Sequence, residues 1–253
     1  FNLAIVSVLD WMHREESLFD RADIGHLLSA AFGIMLSAFV AFNLLLAGGP
    51  GDWSVGHVGL YTPVIIAFYV LAMWIVFNYE KRDRVKFAGR LAGDDSQVTL
   101  AQAARRYAAA AMVVLAAGSA LPFVGEALAR AYGWNTSFVG TVFISFITSL
   151  PELVVTVSAL RLGALDMAIA NLLGSNLFDL LVIAIDDLFY LPGPILSHVS
   201  EVHAASALTA ILMTGAFVAG LVYRPRSRVF GTVGWASLFL LVAYVLNAFL
   251  LFL

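Results

Sequence analysis

Two acidic side chains, Glu152 and Asp179, lie inside long apolar stretches of the sequence. Glu152 ends the segment TSLPE at 148–152, and Asp179 ends the segment GSNLFD at 174–179. An ionised carboxylate at the centre of a bilayer costs about 2.5–3.5 kcal/mol on insertion scales. Because neither stretch contains a Lys or Arg, we expect bound cations or protons to compensate these charges.

Oxygen-bearing side chains share a helix face with each carboxylate. Two sets of three follow from helical spacing, namely Ser145, Ser149 and Glu152 at i, i+4 and i+7, and Asn171, Ser175 and Asp179 at i, i+4 and i+8. Pro151 lacks an amide hydrogen, which frees carbonyls near Ile147 and Thr148. Carboxylates, hydroxyls and carbonyls are the hard oxygen ligands that Ca²⁺ and Na⁺ prefer. The pattern therefore predicts a cation site.

Helix packing is the other interpretation of the neutral polar residues. Ser, Thr and Asn hydrogen-bond between membrane helices, and Gly174 would allow two helices to approach closely. For Asn171, Ser175 and Asn176 taken singly, both interpretations stay open.

The composition indicates what kind of element must position these residues. Of 253 residues, 61% are hydrophobic and 12% are charged, whereas soluble domains have about 25% charged residues. This excludes a soluble enzyme, a nucleic-acid-binding module and a disordered chain, and it predicts a lipid bilayer as the surroundings. The absence of cysteine excludes disulfides, Cys-ligated zinc and a thiol nucleophile.

Runs of roughly 20 apolar residues predict membrane-spanning helices. Seven such runs occur, at 27–47, 58–79, 107–129, 138–160, 164–185, 203–223 and 230–252. A shorter run at 1–9 is typical of the tail of another helix. The sequence thus predicts an all-α, polytopic membrane helical bundle, with one long polar stretch at 80–106.

The basic residues predict the orientation. If 80–106 is cytoplasmic, 13 of the 14 Lys and Arg residues face the cytoplasm, with Arg130 as the exception. The predicted outer loops, 48–57 and 186–202, contain none. We therefore expect a multi-pass protein of the plasma (inner) membrane.

A weak internal repeat appears when the chain is shifted by 177 residues. The shift pairs 1–3 (FNL) with 178–180 (FDL), Asp10 with Asp187, and His26 with His203. Five crossings separate the first pair, so the two copies should face opposite ways. This predicts an inverted repeat of five helices each, a common transporter plan.

The repeat also predicts how the chain is divided. Residues 1–80 are expected to be the remainder of a truncated first half, 81–105 a cytoplasmic connecting loop, and 106–253 the second half with five spans. About 70 residues of the first half are then expected upstream of residue 1, by extrapolation of the inverted-repeat plan.

The segments 148–152 and 174–179 resemble the second signature repeat of the sodium/calcium exchanger family, in the calcium/cation antiporter superfamily. Residues 1–2 (FN) resemble the end of the first repeat's motif. The resemblance implies ten helices in two inverted halves and exchange of cations by alternating access, with no cofactor. The transported ions would be Ca²⁺ against Na⁺ or H⁺, and K⁺ is a further candidate because Asp stands at 179, where many members have Asn. By position, the resemblance implies the following ligands: a carbonyl of Thr148, hydroxyls of Ser149 and Ser175, carboxylates of Glu152 and Asp179, and Asn2 as the first-half counterpart of Asp179.

Departures from the family pattern keep a non-transporting scaffold as an alternative. Ile147 and Ala170 stand where the family usually has Gly, and Ile147 would stiffen the helix before Thr148. An intramembrane protease is the distant alternative. The sequence lacks His-Glu-x-x-His and Gly-x-Ser-x-Gly motifs, and Asp179 has no matching second Asp. We therefore expect no enzymatic activity.

The remaining polar residues have simpler interpretations. Glu126 and Arg130, at i and i+4, predict an ion pair. Asp186 and Asp187 are expected to cap an outer helix end in water, with electrostatic attraction of cations as the alternative. His26 and His203 begin helices in both repeats and are read as packing or interfacial residues, with a proton-linked role as the alternative.

Overall fold

The computed structural model describes residues 1–12, 18–49, 53–91, 99–134, 138–225, 228–229 and 232–252. Its helices are α1 (Asn2–Met12), α2 (Leu18–Arg21), α3 (His26–Leu46), α4 (Tyr61–Leu91), α5 (Leu100–Tyr132), a π-helical segment (Val139–Ile144), α6 (Ser145–Thr148), α7 (Leu150–Arg161), α8 (Leu165–Phe189), a 3₁₀ turn (Ile195–His198), α9 (Val202–Tyr223) and α10 (Trp235–Phe252).

Within the described residues, six helices are long and apolar enough to cross a membrane. They are His26–Leu46, Tyr61–Tyr79 within α4, Leu100–Tyr132, Leu165–Phe189, Val202–Tyr223 and Trp235–Phe252. The bent pair Val142–Thr148 and Leu150–Arg161 makes a seventh crossing if it spans as one broken helix. The prediction of an all-α, polytopic membrane bundle is confirmed.

The predicted connecting loop is largely helical at both ends. α4 continues to Leu91, and α5 already begins at Leu100, where Thr99 and Gln102 form a capping box. Hydropathy detects where the apolar run stops, whereas Lys, Arg and Glu are themselves good helix formers and extend the helix beyond it. Residues 92–98 of this loop, and 50–52 of the predicted outer loop 48–57, lie outside the described residues.

The core surrounds α1 and α8. One cluster joins α1, α8, α9 and α10, with Leu9, Phe19 and Phe217 fully buried. A second cluster joins α3, α4 and α8 through Leu36, Ile65 and Leu177. α8 therefore packs between the first and last parts of the chain, which fixes the position of Asp179.

Two short hairpins, which apolar runs do not reveal, each lead into a helix. β1 (Ser54–Val55) pairs with β2 (Val58–Gly59) ahead of α4. β3 (Arg228–Val229) pairs with β4 (Val233–Gly234) ahead of α10. Each hairpin presents a glycine amide just before the first turn of a helix.

The prediction that Asp187 caps a helix end in water is wrong. Its side chain is 0% exposed and accepts four hydrogen bonds, from the amides of Gly59 and Ile195 and the hydroxyls of Tyr61 and Thr62. The sequence separation between Asp187 and α4 hides these donors from a local analysis. Asp186, the neighbouring residue, is exposed as expected.

Candidate cation site

Glu152 lies in the first turn of α7, directly after a break in the helix. α6 ends at Thr148, α7 begins at Leu150, and the two parts of the broken helix are bent by 47°. The Oε2 atom of Glu152 is buried and has no hydrogen-bond partner. Buried acceptors of this kind are uncommon, because removing an oxygen from water without a new partner costs free energy.

Pro151 explains the break. It occupies the first turn of α7, where its missing amide hydrogen is tolerated. Because Pro151 has no amide hydrogen, it cannot donate a hydrogen bond to the carbonyl of Ile147 one turn earlier. Ser149, at the break, has φ −91° and ψ 3° and is buried. The predicted irregular backbone is therefore present at these residues.

Thr148 uses its hydroxyl within its own helix. The hydroxyl donates to the carbonyls of Ile144 at 2.9 Å and Ser145 at 3.3 Å. Its hydrogen is thus committed, and what Thr148 can offer an ion is a lone pair or the backbone carbonyl next to the break. Because the helix bends at Ser149, Ser145 and Glu152 do not share one straight helix face.

Asn2 and Asp179 meet where α1 and α8 cross. The Nδ2 atom of Asn2 donates to Oδ2 of Asp179 at 3.4 Å. Asn2 is 3% exposed, and its Oδ1 atom is buried without a hydrogen-bond partner. Asn2 and Asp179, which the 177-residue shift aligns, are therefore neighbours in space.

Asp179 is the more accessible carboxylate. It lies within electrostatic range of Glu152 and lines a cavity of about 200 Å³ together with Asn176, Ser37 and Thr214. Ser175 is half-buried on α8, one turn before Asp179. The cavity offers hydroxyl, amide and carboxylate oxygens beside the contact between α1 and α8.

Asn171 takes part in helix packing. Its Nδ2 atom donates to the hydroxyl of Thr156 at 3.1 Å, which joins α8 to α7. Thr156 is fully buried and was missed by the sequence analysis. Its position four residues after Glu152, on the same helix face, is the signal that could have found it.

No basic side chain in the described part of the chain forms a salt bridge with Glu152 or Asp179. Ion pairs found there include Arg130 with Glu126, which confirms the i, i+4 prediction, and His26 with Asp166 at 3.1 Å. The described residues contain no group of three or more His, Cys, Asp or Glu side chains placed to hold a metal ion together. Two carboxylates among neutral oxygens suit an alkali or alkaline-earth cation better than a transition metal.

Comparisons with known proteins identify a family and two relatives with partial matches. A family model described as sodium/calcium exchanger protein matches residues 107–253. Sodium/calcium exchanger MaX1 of Methanosarcina acetivorans is 42% identical over 71 residues, which cover 27% of this chain and 20% of that protein. The putative antiporter CaxA of Alkalimonas amylolytica is 29% identical over 106 residues, which cover 40% of this chain and 33% of that protein. The matches thus span a fifth and a third of these curated relatives. No solved structure gives a significant match.

Proposed function

Because this chain belongs to the sodium/calcium exchanger protein family, we propose that it is part of a secondary antiporter that exchanges Ca²⁺ against Na⁺ or H⁺ by alternating access. The chain forms an integral, multi-pass membrane protein with apolar helices of spanning length. Members of this family act in transport rather than in catalysis, and the transported ions are the substrates.

One observation carries the proposal: buried oxygens lack donors where α1, α7 and α8 come together. Oδ1 of Asn2 and Oε2 of Glu152 are both buried without a hydrogen-bond partner, and Asp179 adds a negative charge next to Asn2. A bound cation satisfies such acceptors and compensates the two carboxylates at once.

The proposed ligands are those that the signature motifs imply. Glu152 and Asp179 supply the negative charge, and the hydroxyls of Ser149 and Ser175 and the Oδ1 atom of Asn2 supply neutral oxygens. The backbone carbonyl of Thr148, at the helix break, completes the set. K⁺ is a further candidate substrate, because the carboxylate at 179 adds a charge that an amide would not.

Recurring local hydrogen bonds support the proposed inverted repeat. Four bonds form two pairs related by 177 residues: Leu18 N to Asp10 and Ile195 N to Asp187, and Gly25 N to Asp23 and Val202 N to Ser200. Hydrogen bonds that recur at a constant separation in the sequence are expected when two segments have the same local fold. On this plan the first half includes helices upstream of residue 1, which are its structural partners and contribute their own ligands.

A membrane scaffold without transport is the second candidate. Ile147, where the family usually has Gly, is 44% exposed immediately before the helix break. A β-branched residue at this position restricts the backbone that would rearrange when an ion is bound or released.

Ion flux in reconstituted vesicles distinguishes the two candidates. The full-length protein should take up ⁴⁵Ca²⁺ when driven by an outward Na⁺ or H⁺ gradient, and comparing the two gradients identifies the counter-ion. Glu126→Gln is a matched control, since Glu126 is an exposed carboxylate paired with Arg130 on α5. No protein-dependent uptake under either gradient would contradict antiport and favour the scaffold.

A further inference from the structure

Asp187 binds the beginning of α4 from the end of α8. It lies in the last turn of α8, where the helix dipole disfavours a negative charge. Its Oδ2 atom accepts from the amide of Gly59 at 2.8 Å and from the hydroxyl of Thr62. Its Oδ1 atom accepts from the amide of Ile195 at 2.7 Å. The amino end of α4 therefore supplies the favourable field that α8 itself lacks.

Asp10 binds the beginning of α10 from the end of α1 in the same way. Its Oδ2 atom accepts from the amide of Gly234 and the hydroxyl of Ser237, both at 2.7 Å. Its Oδ1 atom accepts from the amide of Leu18 at 3.1 Å. Asp10 is also 0% exposed.

Three donors to each carboxylate correspond, and Ala236 stands at the position of Tyr61, the fourth donor to Asp187. Each carboxylate accepts an amide eight residues later in its own chain segment. Each also accepts the glycine amide of a hairpin and a hydroxyl three residues after that glycine, in the segments 58–62 (VGLYT) and 233–237 (VGWAS). These hydrogen bonds occupy both oxygens of each carboxylate.

Each carboxylate is on a helix that carries a residue of the candidate cation site. Asp10 follows Asn2 by eight residues on α1, and Asp187 follows Asp179 by eight residues on α8. Eight residues correspond to about 12 Å of helix rise. Each site helix is thus fixed, about two turns from its ion-binding residue, to a helix that is distant in the sequence.

We propose that Asp10 and Asp187 are paired positioning residues, which hold Asn2 and Asp179 at the cation site by anchoring α1 to α10 and α8 to α4. This inference rests on the proposed function. The anchors act on the site through the helices and do not touch the ion. If an anchor is loosened, its helix can shift, and the ion loses affinity because its ligands no longer converge.

Variants that each remove a single donor hydroxyl test the proposal with little risk to folding. Thr62→Val removes the hydroxyl that binds Asp187 and keeps the side-chain shape, whereas Thr62→Ser keeps the hydroxyl. Ser237→Ala removes the corresponding donor to Asp10. Thr209→Val is the matched control, because Thr209 donates within its own helix to the carbonyl of Ala205 at 2.8 Å.

The measurements are the Ca²⁺ concentration for half-maximal uptake, K0.5, and the maximal rate per folded full-length protein in vesicles. We expect Thr62→Val and Ser237→Ala to raise K0.5 about three- to tenfold, with Thr62→Ser and Thr209→Val within twofold of wild type. If Thr62→Val does not fold, Ser237→Ala makes the smaller change and gives the measurement.

Two negative results have different meanings. If K0.5 is unchanged in the folded Thr62→Val and Ser237→Ala variants, the positioning role is wrong, even if thermal stability falls. If the wild-type protein shows no gradient-driven uptake, the proposed antiport itself is wrong, and the inference falls with it.

Discussion

Glu152 and Asp187 are both carboxylates within apolar helices, but they differ in what surrounds them. Asp187 accepts four hydrogen bonds, whereas Glu152 has a buried oxygen with no partner. Asp187 therefore has a structural role, whereas Glu152 has an oxygen that can still accept a ligand. Unsatisfied buried acceptors are where a ligand contributes most free energy.

Neutralising the two site carboxylates should have unequal effects on transport. We expect Glu152→Gln to abolish Ca²⁺ uptake, because the amide keeps one oxygen but removes the charge that a buried dication needs. Asp179→Asn should shift ion selectivity or proton sensitivity first, since Asn retains an oxygen ligand at a more accessible position. ⁴⁵Ca²⁺ flux at several Na⁺ and H⁺ concentrations measures both effects. Unchanged flux in Glu152→Gln would overturn the assignment of the site.

Neutralising Asp187 should instead destabilise the fold. Asn at this position has one acceptor oxygen, and its NH₂ group faces hydrogen-bond donors, so we expect a loss of about 1–3 kcal/mol for each donor left unsatisfied. Asp186→Asn is the control, since Asp186 is the adjacent, exposed carboxylate. Thermal unfolding in detergent compares the two variants. Equal melting temperatures would show that the buried hydrogen bonds do not stabilise the protein.

The candidate site was predictable to the extent that its residues are local in sequence. Glu152, Ser149 and Pro151 form one short motif, so the helix break beside Glu152 could be inferred from Pro151. Asp187 was misread because its donors on α4 lie 125–128 residues away. Thr156 was missed because its partner, Asn171, is on the next helix.

At the scale of elements, the broken helix is the part that a transport cycle would use. Pro151→Ala restores an amide that can donate to Ile147, so we expect a straighter helix, higher thermal stability and at least about tenfold slower uptake, since misplaced ligands cost about this much. Pro122→Ala is the control, since Pro122 lies within α5 and is exposed. Flux and melting temperature are measured on both variants. Faster or unchanged uptake in Pro151→Ala would mean that the bend is not required.

The bounds of the helices were predicted well where the ends of the apolar runs coincide with the ends of the helices. The run at 27–47 corresponds to α3 (His26–Leu46), and the run at 203–223 to α9 (Val202–Tyr223). The extension of α4 to Leu91 was not predicted, because its last residues are charged but favour helix. The hairpins before α4 and α10 were missed, since two-residue strands carry no periodic signal.

At the scale of the whole molecule, sidedness is the first property to establish. The chain has no cysteine, so single cysteines report position directly. We expect Ser54→Cys, on the β1–β2 hairpin, to react with a membrane-impermeant maleimide in intact cells. Ala101→Cys, at the start of α5, should react only after permeabilisation. The opposite pattern would reverse the proposed orientation, in which 80–106 is cytoplasmic.

A second property of the whole molecule is which residues complete the cation site. Thr148 and much of α5 are exposed, which leaves surface for the proposed first-half helices. Vesicles that contain only residues 1–253 should therefore show no Na⁺-driven Ca²⁺ uptake, while the full-length protein does. Robust uptake by residues 1–253 would mean that this chain supplies all the ligands, or that two copies assemble one site.

The anchors at Asp10 and Asp187 also have a consequence for biosynthesis. Gly59 leaves the ribosome 128 residues before Asp187, and Asp10 leaves it 224 residues before Gly234. Neither the amino end of α4 nor the carboxylate of Asp10 can reach its final partner while the early helices are being inserted. Contacts of such long range form late, after the loop-closure entropy has been overcome. The earlier helices therefore stay in a looser arrangement in the bilayer until α10 has been synthesised and packs against α1.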